Sequence, residues 1–274
     1  EQAAQLRCAV GHLLLEIGRP TESLSMLEHA YQIRLCTAGA LDVPAGATLL
    51  WLMSWAKIEL GQQDALELAM EAYEIRKRTR SLCTPEGSKL LQLVGRLKCK
   101  FGDPGAALDF LVEALESIKE LGAAACLFGV ELLEQTGRAH AELGHAAKAI
   151  SAFEEARKQR KSLGTLGTPY GASLLMNIAS VKLMIGEFSA SDELCSEAYA
   201  IREKTGTLAT PYGANLLAVM AHLKLQLQEP AAALAICLRA RSIRKETSTL
   251  ETKDGKWLDE LTRRAESDLH FNPP

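Results

Sequence analysis

Six alanines, Ala30, Ala72, Ala114, Ala156, Ala198 and Ala240, stand 42 residues apart along the chain. A second set of small residues, Ser23, Ala65, Ala107, Ala149, Ser191 and Ala233, keeps the same interval. Gly46, Gly87, Gly129, Gly171, Gly213 and Gly255 follow it too, spaced by 41 residues once and 42 thereafter. Self-similarity at a period of roughly 20 to 50 residues marks an array in which each unit buries its apolar face against its neighbours. A chain of 274 residues exceeds the common single-core size, and this periodicity selects the elongated array over two ordinary domains.

Each unit reads as helix, tight turn, helix. In the fifth, Leu174, Leu175, Ile178, Val181 and Met184 recur at three- and four-residue steps, which places them along one helix face. Gly186 ends that helix; a second carries Leu194, Ala198 and Ile201 and runs to about Thr205. A third small set, Gly11, Ser54, Gly95, Gly137, Ala179 and Ala221, lies on the first helices, and breaks fall at Gly18, Gly61, Gly102, Gly144 and Gly186, with Gln228 in the last unit. Small residues at these positions let two helix backbones approach closely. The twice-written Thr-Pro-Tyr-Gly, at Thr168 and Thr210, supplies an N-cap and a proline at the first helical position, and Thr84-Pro85 repeats the arrangement. A glycine two residues after the proline is costly inside a helix, so its recurrence implies a crowded first turn against the preceding hairpin. The expected fold is all-α, a right-handed α-solenoid of six helix-turn-helix repeats at about 1–42, 43–83, 84–125, 126–167, 168–209 and 210–251. First helices are expected near Pro44, Pro85, Leu127, Pro169 and Pro211. Gly255, Trp257, Leu258 and Leu261 are in register with a first helix, but Asn272-Pro273-Pro274 leaves no room for a second, so about 254–270 is expected to be a capping helix.

This layout of small residue, bulky residue, glycine turn and paired alanines resembles the tetratricopeptide repeat, whose usual unit is about 34 residues. The longer second helices ending "AYEIRKRT", "AYAIREKTG" and "ARSIRKET" are similar to the 42-residue repeats of kinesin light chains. The resemblance implies a scaffold whose first helices line a concave peptide-binding face. It also implies a role for Asn177, which stands where the kinesin light chain pattern has a first-helix Asn; Leu52, Leu93, Gln135 and Val219 occupy the equivalent places.

On that face the third unit presents Lys89, Gln92, Arg96 and Lys100 as a basic stripe, beside Trp51 and Trp55 on the second and Arg138 on the fourth. Arginine pairs a carboxylate bidentately and tryptophan supplies contact area, a combination suited to an acidic peptide segment with an apolar anchor. At another register position stand Lys57, Lys98, His140, Lys182 and Lys224, and the acids Glu67, Asp109 and Glu193 ten or eleven residues on are expected to pair with the lysines of units two, three and five across the hairpin. Lys224 faces Ala235 in that scheme.

A net charge of −3 gives no basic field for nucleic acid or anionic membrane, and no apolar run approaches a membrane span. Seven scattered cysteines without metal spacing read as reduced, apolar fillers, which implies a cytoplasmic or other reducing compartment. A first residue other than methionine, opening within an expected helix, fits a fragment or processed form whose targeting segment is out of view. The histidines lie at scattered phases without nucleophile or metal partners, so neither catalysis nor a cofactor is expected. The expected function is a protein-interaction adaptor holding a peptide; the alternative is a constitutive subunit or spacer of a larger assembly.

Overall fold

The computed structural model describes residues 2–123 and 126–271, and among them are thirteen α-helices and no strand. The expected repeat boundary at residue 125 and the terminal Asn272-Pro273-Pro274 lie outside the described residues. The chain forms two compact units, Glu1–Leu143 and Gly144–Pro274. The first holds α1 (Gln2–Glu16), α2 (Pro20–Leu35), α3 (Pro44–Glu59), α4 (Ala65–Arg78), α5 (Pro85–Lys100), α6 (Pro104–Glu120) and α7 (Leu127–Glu142). The second holds α8 (Ala146–Ser162), α9 (Pro169–Met184), α10 (Phe188–Lys204), α11 (Pro211–Gln226), α12 (Pro230–Glu246) and α13 (Lys253–Phe271). In each unit successive helices pack as antiparallel neighbours, and each hairpin lies against the first helix of the next. The division falls inside the fourth expected repeat, between its two helices.

The small-residue series mark where paired helices touch. Ser23 Oγ donates to the Gly11 carbonyl at 2.7 Å, Ser54 Oγ to Ala65 at 2.7 Å, and Ser191 Oγ to Ala179 at 2.9 Å. A hydroxyl can reach a carbonyl of the facing helix only if no larger side chain stands between them. Around these contacts Leu174, Leu175, Ile178 and Val181 are buried, but Met184, expected on the same face, is 62% exposed because its helix ends there. The left-handed turn after that helix falls on Gly186 (φ 80°); at the equivalent place after α11 it falls on Gln228 (φ 62°), a conformation that costs a residue with a Cβ about 1 kcal/mol.

The helix starts explain the recurring glycines. Thr84, Thr168 and Thr210 Oγ1 accept from the backbone N–H groups of Gly87, Gly171 and Gly213 at 3.1, 3.4 and 3.2 Å, and Thr252 caps Gly255 in the same way at 3.2 Å without a proline. A Cβ on Gly171 would lie 1.9 Å from the Leu166 carbonyl oxygen, and one on Gly213 2.0 Å from that of Leu208. The crowding is therefore by the backbone of the loop five residues upstream rather than by the preceding hairpin.

A further 42-residue series lies in the second helices: Arg34, Arg76, Arg160, Arg202 and Arg244, all nearly fully buried, with Ile118 in the third position. Arg76 donates to the Ser81 carbonyl (3.0 Å), Thr84 Oγ1 (3.2 Å) and Thr48 Oγ1 (2.8 Å), binding the end of α4, the following loop and α3. Arg34 donates to the Ala40 carbonyl at 2.8 Å, Arg202 to Ser173 Oγ at 2.7 Å, and Arg244 to the Thr249 carbonyl at 3.3 Å and to Asn215 Oδ1. Burial lowers the pKa of Arg76 and Arg202 from the ordinary arginine value. The exposed rings of Tyr170 and Tyr212, from the Thr-Pro-Tyr-Gly motifs, lie about 6 Å from the Arg160 and Arg202 guanidinium carbons.

The lysine pairing differs from the sequence expectation. Lys57 pairs with Asp64, Lys182 with Glu187 at 2.6 Å, and Lys224 with Glu229 at 3.0 Å, while Glu67, Asp109 and Glu193 remain exposed. The acid at the tight turn meets the ammonium before the chain has begun its second helix, which also gives Lys224 a partner. Such exposed pairs contribute about 0 to 1 kcal/mol each.

Candidate functional site

In the first unit, residues from α1, α3, α5 and α7, all first helices, line a cavity of about 290 Å³. Its floor is aromatic. Trp51 and Trp55, one helical turn apart on α3, have ring centroids 6.1 Å apart, and the His12 ring stands edge-on to both at 6.0 and 6.1 Å. Trp51 is buried and Trp55 half-buried, so the pair offers contact area without being wholly packed away. Leu93 and Phe128 complete the apolar lining.

The polar rim carries both signs. Lys89, Gln92 and Arg96 project from one face of α5, and among the described residues neither Lys89 nor Arg96 makes an ion pair. Glu16, whose carboxylate lies 3.6 Å from His12 Nε2, and Glu131 stand on the rim with them. A carboxylate entering here meets two cations above an indole floor, while the two glutamates disfavour a uniformly acidic ligand.

The freedom of Lys89 has a structural origin. In the second, fifth and sixth repeats the same register position holds Thr48, Ser173 and Asn215, each occupied in accepting a hydrogen bond from the buried arginine of its hairpin, and in the fourth it holds Glu131 of the rim. In the third hairpin that arginine is Ile118, and Ser117 instead shares a 2.8 Å hydrogen bond with Ser88. An arginine at 118 would set a like charge toward Lys89; its replacement leaves the lysine to the cavity.

Five of the residues singled out from sequence, Trp51, Trp55, Lys89, Gln92 and Arg96, are thus brought together. Lys100 and Arg138 are exposed but do not line the cavity, and Asn177 lies half-buried on α9 in the second unit. Sequence reasoning did not assign His12, Glu16, Leu93, Phe128 or Glu131 to the site. Glu16 follows His12 by one helical turn, which is the signal that could have found it; Phe128 is set by how α7 packs beside α5, which no local spacing encodes.

The cysteines divide. Cys195 and Cys237 are buried, and burial pushes the Cys195 thiol up to about 12, as expected for an inert filler. Cys36 and Cys83 are exposed instead, because they fall in the loops between hairpins; the hydrogen bond from Cys83 to Glu120 raises its pKa. Among the described residues no cluster of three or more potential metal ligands occurs, and no helix is long and apolar enough to cross a membrane.

No protein-family model matches the chain, and no curated protein does. Solved structures do. A crystal structure of nearly identical TPR-like repeats assigned to a Podosopora anserina kinesin light chain superposes with a TM-score of 0.63 at 18% identity, covering 75% of this chain and 98% of that one. The apo form of RapI gives a TM-score of 0.67 at 12% identity over 98% of this chain and 99% of its own. This is a tetratricopeptide-like helical-repeat fold. Cut9, in the APC/C hetero-tetramer Cut9–Hcn1, gives 0.67 at 14% identity over 96% of this chain and 42% of that one. At such identities the likeness fixes the TPR-like architecture, and the ligand has to be argued from the cavity itself.

Proposed function

We propose that the chain is a non-catalytic interaction scaffold that holds a peptide segment in the cavity of its first unit, reading one acidic residue and one neighbouring apolar side chain. The observation that carries this is the pair of cations without ion partners, Lys89 and Arg96, beside the Trp51–Trp55 floor. The acidic residue pairs with Arg96 and Lys89, and the apolar side chain lies against Trp55 and Phe128. Glu16 and Glu131 favour a segment in which the acid is flanked by neutral or basic residues. Contact with a protein or peptide is in keeping with the company of the fold, since one solved neighbour is a Cut9–Hcn1 assembly.

The test is fluorescence anisotropy with labelled peptides carrying Asp or Glu near Leu or Phe, against Lys-for-Asp counterparts. Acid-bearing peptides are expected to bind with an affinity that falls, without vanishing, as salt rises. Arg96→Glu combined with Lys89→Glu should weaken that binding at least tenfold with unchanged helicity, whereas Arg138→Glu, away from the cavity, should do much less. Equal binding by the double variant would overturn the cavity reading. Capture of a partner that withstands high salt and both substitutions would favour the constitutive-subunit alternative.

A further inference from the structure

The wall of the first-unit cavity is balanced in charge. Among the described residues that line it, Lys89 and Arg96 stand against Glu16 and Glu131, so these four leave no net charge on the wall. The other side chain there that can gain a charge is His12. One proton on its ring turns the wall from neutral to positive. The surroundings suit that proton, for the Glu16 carboxylate lies 3.6 Å from Nε2 and the Trp51 and Trp55 ring centroids lie 6.0 and 6.1 Å from the imidazole. A carboxylate pairs with an imidazolium, and indole faces attract a cation. Of the elements around it, α3 contributes only the two tryptophans to the wall and α2 contributes nothing, while α5 sets Lys89 and Arg96 across the cavity and α7 sets Glu131.

The second unit holds a histidine at the same register under the opposite conditions. His222 follows the small residue Ala221 as His12 follows Gly11, and its ring is edge-on to Trp257 at 6.1 Å. Where His12 has Glu16, His222 has Gln226, whose amide nitrogen lies 3.1 Å from its Nε2. Burial, and after it the Arg264 guanidinium, lower the pKa of His222. The frame thus keeps one imidazole neutral and gives the other a carboxylate.

We propose that His12 is a specificity-determining residue of the cavity, which on protonation supplies a third cation against the bound acidic residue, so that this residue is captured more tightly in mildly acidic than in neutral solution. The inference rests on the reading of the cavity as an acid-binding site. Glu16 holds the imidazolium at the wall, and the ligand carboxylate meets it together with Arg96 and Lys89.

The test is anisotropy of a rhodamine-labelled peptide that carries one Asp beside one Leu and no histidine, at about pH 7.5 and about pH 5.5, on either side of the range in which histidine takes up a proton. The peptide Asp stays ionised at both values. Since one linked proton changes affinity by at most about tenfold per pH unit, binding about five- to tenfold tighter at the lower pH is expected. His12→Asn should flatten the profile, and His12→Lys should flatten it at the tighter level, with helicity unchanged in both. A Lys-for-Asp peptide should gain nothing on acidification. Equal affinity at the two pH values, with binding still lost in Arg96→Glu combined with Lys89→Glu, would overturn the role of His12 and leave acid recognition standing. A gain that His12→Asn retains would place the proton on another group and overturn it as well. Absence of binding at both values would instead sink the acid-binding reading, and this inference with it.

Discussion

A buried arginine is the residue-level device that joins one hairpin to the next. Arg76 is buried and its hydrogen-bond partners are neutral, so the interaction is a set of charge-assisted hydrogen bonds to a loop carbonyl and two threonine hydroxyls. Replacing it with methionine keeps most of the volume but removes three charge-assisted hydrogen bonds; the Ser81 carbonyl still accepts from Thr84 Oγ1 and Thr84 Oγ1 from the Gly87 N–H, while Thr48 Oγ1 loses its donor. Hydrogen bonds from a charged group contribute about 1.5 to 3 kcal/mol. Arg76→Met should therefore lower the stability read from urea denaturation by about that much, and Arg76→Lys should recover only part of it because an ammonium lacks the fork that reaches loop and helix together. An undiminished midpoint would show that the guanidinium is dispensable. The 42-residue spacing of these arginines was visible in the sequence, but a charged residue in a helix reads as solvated unless its partners are known. Those partners lie up to 29 residues away and come together only on folding.

At the scale of the element, capping and periodicity were largely legible. Thr-Pro announced first helices that do begin at Pro85, Pro169 and Pro211, with the threonine oxygen on the glycine N–H as its geometry demands. What crowds the glycine was not legible, because a five-residue loop returning to touch its own helix leaves no mark in composition. Two glycines with opposite surroundings make this testable. Gly171→Ala forces a methyl onto the Leu166 carbonyl and should destabilise by about 1 to 3 kcal/mol, as overpacking does. Gly105→Ala, in the first turn of α6 with nothing nearer than 3.8 Å to its added carbon, should be neutral or stabilise by up to about 1 kcal/mol through helix propensity. Thermal melts of the two variants give the sign directly; equal effects would refute the close-approach account. The lysine ladder was misread at this same scale, since turn acids compete for an ammonium before residues on the facing helix come within reach.

For the molecule, the small-residue repeat was enough to specify an all-helical array and its capping helix, because every unit repeats the same close contacts. The division into two compact units was not foreseen, as the repeat register runs through the boundary unchanged. Alpha13 packs on α11 and α12 and buries Leu258, Leu261 and Ala265. Each leucine contributes about 1.5 to 3 kcal/mol on burial, so ending the chain at Thr252 should lower the melting temperature and promote aggregation in light scattering. An unchanged melt would mean that α12 does not depend on its cover. In the first unit, the glycines, alanines and buried arginines that set the hairpin contacts are distinct from Trp51, Trp55, Lys89, Gln92, Arg96 and Glu131 on the cavity wall. Lys89, Arg96 and Glu131 are exposed, so substitution there leaves the framework contacts in place, whereas Trp51 is buried in the core and serves both wall and frame. The frame can therefore stay constant while the charge on the cavity wall changes, and Lys89, with Ile118 where the other hairpins carry a buried arginine, belongs to the wall rather than to the frame.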